Sequence, residues 1–141
     1  LKFPRIHQPK TAVCIIHYIC MDWRHIEEIS RAGHQYDELN NLCVWNKTNA
    51  GMGSLYRSKH ELVFVFKHGT ASHTNNVELG SHGRYRTNVW DYAGVNTFQN
   101  TKLLKLHPTV KPVELIRDAV LDASNRRESI LDPFLGSGSP Q

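Results

Sequence analysis

Pro112-Val-Glu-Leu-Ile-Arg-Asp-Ala-Val-Leu-Asp-Ala123, then Ser129-Ile-Leu-Asp132, then Pro133-Phe-Leu-Gly-Ser-Gly138, is the stretch that decides the class of fold. Pro112 suits the first position of a helix, where its missing N–H would have no intrahelical partner anyway. Val113, Ile116, Val120 and Ala123 follow at helical spacing as an apolar stripe. The run from Ser129 to Asp132 is short and apolar enough for a buried strand that leads straight into a glycine turn. A helix followed by a strand is one step of an α/β chain.

Upstream residues repeat that alternation. Thr11-Ala-Val-Cys-Ile-Ile-His-Tyr-Ile19 is rich in β-branched residues and reads as a strand buried on both faces, as in a parallel sheet. Met21 to Ala32 reads as a helix, with Ile26 and Ile29 three apart and Gly33 placed to terminate it. Leu42 to Asn46 and Glu61 to Phe66 are two further strands, separated by a loop over Lys47–His60. From His68 to Lys105 the chain turns polar, with one short strand expected around Thr87 to Tyr92. So long a stretch without periodicity is uncommon in a compact domain unless it is a functional insertion. The expected class is therefore α/β with a partly parallel sheet and a polar loop insertion, and ligands should bind at the carboxyl ends of its strands.

With 141 residues, the chain has the length of about one domain. Hydrophobic residues make up 40% and charged ones 21%, which excludes wholesale disorder. No apolar run nears the roughly 20 residues that cross a bilayer, so we expect no membrane association and a cytoplasmic setting. Three cysteines without a CxxC pair fit a reducing compartment. A net charge of +4 fits a polyanionic partner without requiring one. The first residue, Leu1, and the glycine-rich end read as a piece of a longer protein.

Two motifs carry chemistry. Asp132-Pro-Phe-Leu-Gly-Ser-Gly138 sets an acidic residue before glycines that let a backbone approach a ligand closely. It lacks the Lys-Ser/Thr of a phosphate loop and the third glycine of a dinucleotide fingerprint. His107-Pro-Thr-Val-Lys-Pro112 is a stiff turn at a helix start, where the Thr109 hydroxyl and the Lys111 ammonium can meet an anionic group. The nine histidines do not form a metal signature: His60-Glu61 is followed by Phe64 where a zinc protease motif needs histidine, and His68, His73 and His82 lack a paired cysteine. Among the tryptophans, Trp23 and Trp45 read as core, whereas Trp90, beside Arg84 and Arg86, reads as a ring that can stack on a base.

In this order the two motifs resemble the cofactor-binding region of S-adenosylmethionine-dependent DNA amino-methyltransferases, in the permuted beta class whose cofactor half follows its catalytic half. Cys20-Met-Asp-Trp-Arg-His25, Val44-Trp-Asn-Lys47, Gly51-Met-Gly-Ser-Leu-Tyr-Arg-Ser-Lys-His-Glu-Leu-Val-Phe-Val-Phe-Lys67 and Arg84-Tyr-Arg-Thr-Asn-Val-Trp-Asp-Tyr-Ala-Gly94 are similar to one subgroup of site-specific methylases. The resemblance implies an incomplete Rossmann-like methyltransferase sheet. Residues 12–67 would be catalytic-half strands, 68–106 a DNA-contacting insertion, and 107–139 the start of the cofactor half. It also implies that Asp132, Phe134, Gly136 and Gly138 line S-adenosylmethionine and that Thr109 and Lys111 meet its methionine carboxylate. His60 and Glu61 would lie near the target-base pocket, and Arg84, Arg86 and Trp90 on the surface that meets double-stranded DNA.

One departure matters. The family's catalytic tetrapeptide, Asp/Asn/Ser-Pro-Pro-aromatic, is absent, since the chain holds no Pro-Pro pair. The expected function is therefore that of a fragment of a restriction-modification DNA methyltransferase, adenine being a more fitting target than cytosine, with no activity in the chain alone. The alternative is a non-catalytic nucleic-acid-binding remnant of such an enzyme. An unrelated nucleotide-binding enzyme shares only the glycine turn.

Overall fold

The computed structural model describes residues 13–34, 38–94 and 111–133. Four strands, β1 (Ile15–Met21), β2 (Glu38–Asn46), β3 (His60–His68) and β4 (Val89–Asp91), form one mixed sheet in the order β1-β3-β2-β4. β3 is antiparallel to both β1 and β2, and β4 is parallel to β2. Among the described residues two helices accompany them: α1 (Ile26–Gly33), entered through a 3-10 turn at Trp23–His25, and α2 (Val113–Ala123).

The run Leu62-Val-Phe-Val-Phe66 explains the layering. All its residues are buried, and because successive side chains of a strand alternate between faces, both faces of the sheet must be covered. On one face Val63 and Val65 join Cys43, Trp45 and Trp90, closed over by Leu115 and Ala119 of α2. Leu62, Phe64 and Phe66 join Leu39, Leu42 and Val44 on the other, where α1 contributes Ile29. Leu39 and Leu42 share a face although they are an odd number of positions apart. A register shift in β2 between Leu39 and Asn41 inserts the extra residue that permits this.

β1, β2 and β4 run in one direction and end at the edge where β3 begins: Met21 pairs with Leu62, Asn46 pairs with His60, and Asp91 at the end of β4 pairs with Asn46. Lys111, just before α2, reaches the same edge through Glu61. At the far end of α2 the polar segment is tied down. The Asn76 side-chain amide donates to the carbonyls of Leu121 and Ser124 at 2.9 and 2.8 Å, and its backbone N–H donates to the carbonyl of Asp122 at 2.9 Å. These are carbonyls that the end of a helix cannot satisfy within itself.

Several expectations are corrected. The first strand is paired antiparallel with β3 and is nowhere fully buried, Ile15 being 47% exposed, so it is not a doubly covered parallel strand. Gly33 is the last helical residue rather than the one after it, and it is needed there for space: a Cβ would stand 2.2 Å from the Phe66 ring. In α2 the buried residues are Leu115 and Ala119, because the sheet lies on that side, and Val113 faces solvent. Pro112 sits one position earlier than expected, at the cap. Residues 129–132 form no strand; Ile130 and Leu131 are exposed, and no described strand lies alongside to accept their hydrogen bonds. Trp23 is exposed as well, with its indole N–H donating to Ser58 Oγ at 3.3 Å.

Candidate functional site

At the shared edge, Trp45 of β2 is buried with its indole N–H donating to the Tyr92 carbonyl at 3.0 Å. Glu61 is its direct partner on β3. Lys47, two positions beyond Trp45, places its Nζ 3.0 Å from Glu61 Oε2 and 4.5 Å from the centre of the Trp45 ring. Lys111 reaches the same carboxylate from the approach to α2, its Nζ 2.5 Å from Glu61 Oε1 and 5.8 Å from that ring. Both ammonium groups thus lie within cation–π range of one indole.

Burial favours the neutral Glu61 carboxyl, but the hydrogen bonds and charges of Lys111 and Lys47 outweigh it and bring its pKa below the ordinary value. The neighbouring Cys20 thiol is pushed up to about 11 by burial, against the pull of Lys111, and so stays protonated at neutral pH. One carboxylate between two ammonium groups leaves a net positive charge. The donor set therefore has capacity for one further anionic group, and Lys111, whose present partner is a carboxylate, suits another carboxylate. A methionine carboxylate fits that chemistry.

The other expected site residues are placed unequally. His60 opens β3 at the same edge, half-buried and in register with Asn46. Asp132 is exposed in the irregular stretch after α2. Thr109, Phe134, Gly136 and Gly138 lie outside the described residues. Arg84 is exposed, with its Nη1 bound to Glu78 at 2.9 Å and to the Asn76 carbonyl at 3.0 Å.

Arg86 and Trp90 depart from the expected DNA surface. Trp90 is 5% exposed, donates to the Thr87 carbonyl at 3.1 Å and packs beside Tyr18, so it offers no face to a base. The Arg86 guanidinium lies 4.9 Å over the Trp90 ring, 2.7 Å from Asp122 and 3.3 Å from the Tyr92 hydroxyl. Its Nη2 is buried without a hydrogen-bond partner among the described residues. An arginine stacked on a tryptophan reads the same in sequence whether the pair faces DNA or closes a core edge, and here the ring is covered.

Lys47 was not singled out from sequence, and neither was its pairing with Glu61. The available signal was the alternation Trp45-Asn-Lys47, which puts the ring and the ammonium on one side of the strand.

Comparison with known proteins gives this site a context. The family model described as DNA methylase matches residues 16–139. Among curated relatives, the chain is 28% identical over 138 residues to the type II methyltransferase M.HpaI of Haemophilus parainfluenzae, covering 86% of this chain and 43% of that protein. It is 32% identical over 109 residues to the type II methyltransferase M2.LlaDCHI of Lactococcus lactis subsp. cremoris, covering 72% and 39%. With the DNA adenine methyltransferase YhdJ of Escherichia coli it shares 37% identity over 57 residues, 40% of this chain and 19% of that one. The chain spans less than half the length of these relatives. With a match running from β1 past the end of α2, the chain belongs to the DNA methylase family.

Proposed function

We propose that this chain is part of a site-specific DNA methyltransferase of the restriction-modification type, moving a methyl group from S-adenosylmethionine to the exocyclic amino group of adenine, with cytosine the next candidate. The observation that carries the reading is Lys111, the lysine of the His-Pro-Thr-x-Lys-Pro turn, held on a carboxylate at the carboxyl edge of three strands that run in one direction. Ligands of α/β sheets bind at such edges. The adenine preference is supported by the name of the Escherichia coli relative. The mixed sheet would be one portion of a Rossmann-like methyltransferase sheet.

In this reading Lys111 and Thr109 hold the methionine carboxylate, while Asp132, Phe134, Gly136 and Gly138 line the rest of the cofactor. When bound, the cofactor supplies an electrophilic methyl group. Glu61 holds the Lys111 ammonium in place, with Lys47 on the other oxygen of the same carboxylate, and the buried Trp45 gives all three a floor. His60 lies toward the target base. Arg84 contributes to the contact with double-stranded DNA. The chain by itself is inactive, because an enzyme that extrudes a base also needs the aromatic clamp of the absent Pro-Pro tetrapeptide.

The test is methyl incorporation from labelled S-adenosylmethionine into unmethylated plasmid DNA by the full-length protein, with the product nucleosides separated. N6-methyladenine is expected. N4-methylcytosine alone would change the target, and no incorporation would overturn the proposal.

A further inference from the structure

The connection between β2 and β3 is a loop with internal order. Lys47 N–H donates to the Lys59 carbonyl at 2.8 Å and Gly51 N–H to the Ser58 carbonyl at 2.7 Å, which closes its base. Arg57 ties its middle, with Nη2 donating to the Ala50 carbonyl at 2.8 Å and Nε to the Gly51 carbonyl at 3.3 Å. Trp23 braces it from the side through Ser58. At its tip the backbone doubles back so closely that a Cβ on Gly53 would meet the Tyr56 carbonyl oxygen at 1.9 Å.

This ordered loop nevertheless holds large apolar side chains in water: Met52 is 94%, Leu55 82% and Tyr56 83% exposed. Its hydrogen bonds are made by backbone and by the side chains of Lys47, Thr48, Arg57 and Ser58, and none of the three apolar residues contributes to a described core cluster. A clustered apolar surface on an ordered element marks an interaction site. The charge around it selects the partner. Between Lys47 and His60 the chain carries Lys47, Arg57 and Lys59 and no acidic residue. The Arg57 guanidinium bonds only to neutral carbonyls, so its charge is uncompensated among the described residues.

We infer that the loop over residues 47–59 is the element that engages duplex DNA, with Met52, Leu55 and Tyr56 pressed into the duplex and Arg57 and Lys59 against its phosphates. The inference rests on the proposed methyltransferase reading and goes beyond it by moving the main DNA contact away from Arg86 and Trp90. Position supports it. The two ends of the loop are Lys47, already bound to Glu61, and Lys59, next to His60, so the loop stands at the edge where Lys111 is held. Apolar side chains inserted between base steps unstack the duplex locally, and a base taken from the stack needs that help.

The experiment uses the full-length protein, unmethylated plasmid fragments as probe, and binding measured across 50–200 mM salt, roughly the range in which phosphate contacts are lost. The double substitution Leu55→Ser with Tyr56→Ser should weaken binding about tenfold at every salt concentration, with the salt slope unchanged, because it removes stacking and not charge. Lys59→Ala should lower the slope by about one unit. All three side chains are exposed, so the melting temperature should not move.

If the double variant binds as tightly as the parent while the parent still methylates DNA, the loop assignment fails and the methyltransferase reading stands. If the parent neither binds nor methylates duplex DNA, both fail. If the double variant instead converts a dimer to a monomer by light scattering with DNA affinity intact, the patch belongs to an interface between copies and the inference is overturned.

Discussion

Gly33 and Phe66 meet in van der Waals contact so close that the ring occupies the space a side chain at residue 33 would need, its Cε1 and Cζ standing 2.2 Å from an ideal Cβ. This contact is how α1 closes on the face of β3 that carries Leu62, Phe64 and Phe66, and it depends on the smallest residue at the last position of the helix.

Gly33→Ala should therefore destabilise the full-length protein by about 1–3 kcal/mol, since one methyl group forces a fully buried ring out of its place. Helix propensity alone predicts the opposite sign, because alanine is the better helix former by about 1 kcal/mol. Denaturant unfolding decides between them: a midpoint raised by the substitution would mean that α1 moves away from Phe66 at little cost.

Glu61→Gln removes the one carboxylate shared by Lys47 and Lys111 and leaves two ammonium groups over one ring. Hydrogen bonds to charged groups are worth about 1.5–3 kcal/mol each, and two neighbouring cations then repel, so a loss of about 2–4 kcal/mol at pH 7 is expected. The pH dependence has a definite sign. The folded-state pKa of Glu61 lies below its ordinary value of 4.5, so its contribution is fully present above that value and is lost as pH falls through the lower folded pKa. The stability gap between parent and variant should be level from pH 6 to 8 and shrink below about pH 4.5. A gap that grew on acidification would contradict the assignment.

Lys111→Ala should weaken binding of S-adenosylmethionine to the full-length protein by roughly ten- to a hundredfold, the value of one charge-assisted hydrogen bond. Gly136→Val, in the glycine turn, should be at least as damaging because a branched side chain would fill the approach to the ligand. Calorimetric titration reads both. Parent-like affinity in both variants would place the cofactor elsewhere.

Arg84 and Arg86 should separate cleanly. Arg86 packs on Trp90 and pairs with Asp122, so Arg86→Ala should lower stability by about 1–3 kcal/mol through lost packing and a stranded carboxylate. Arg84 is exposed and paired only at the surface, and Arg84→Ala should change stability by less than about 0.5 kcal/mol. If Arg84 meets DNA, its loss should reduce the salt slope of binding by about one unit. Equal melting temperatures for the two variants would show that the Arg86 contacts are incidental.

The sequence was most legible where one local signal had one physical reading. The run from Glu61 to Phe66 was legible as a strand from its β-branched and aromatic residues, though its burial on both faces was not, and the short strand near Trp90 and the helix after Pro112 were legible for similar local reasons. Strand direction was not legible, because Ile15 to Met21 carries the same β-branched residues whether its neighbour runs parallel or antiparallel. The buried face of α2 was misread because the apolar residues of that helix extend around more than one side, and only the position of the sheet selects Leu115 and Ala119 over Val113. At the candidate site the lysine of the proline-bracketed turn was legible as a motif. Its carboxylate partner lies 50 residues earlier in the chain, a relationship no local pattern encodes.

The strand order has a consequence for how the chain assembles. β1 and β2 are both completed before β3 is made, yet each is bonded to β3 and neither to the other. During synthesis they must wait, with Ile19, Met21, Leu42 and Val44 uncovered, until residue 68 is available to fill the slot between them. Pairing that waits on a later segment is slow and leaves strand edges open. Substitutions in β3 should thus reduce yield during expression more sharply than their effect on the finished fold implies, since they delay the one event that closes both edges together.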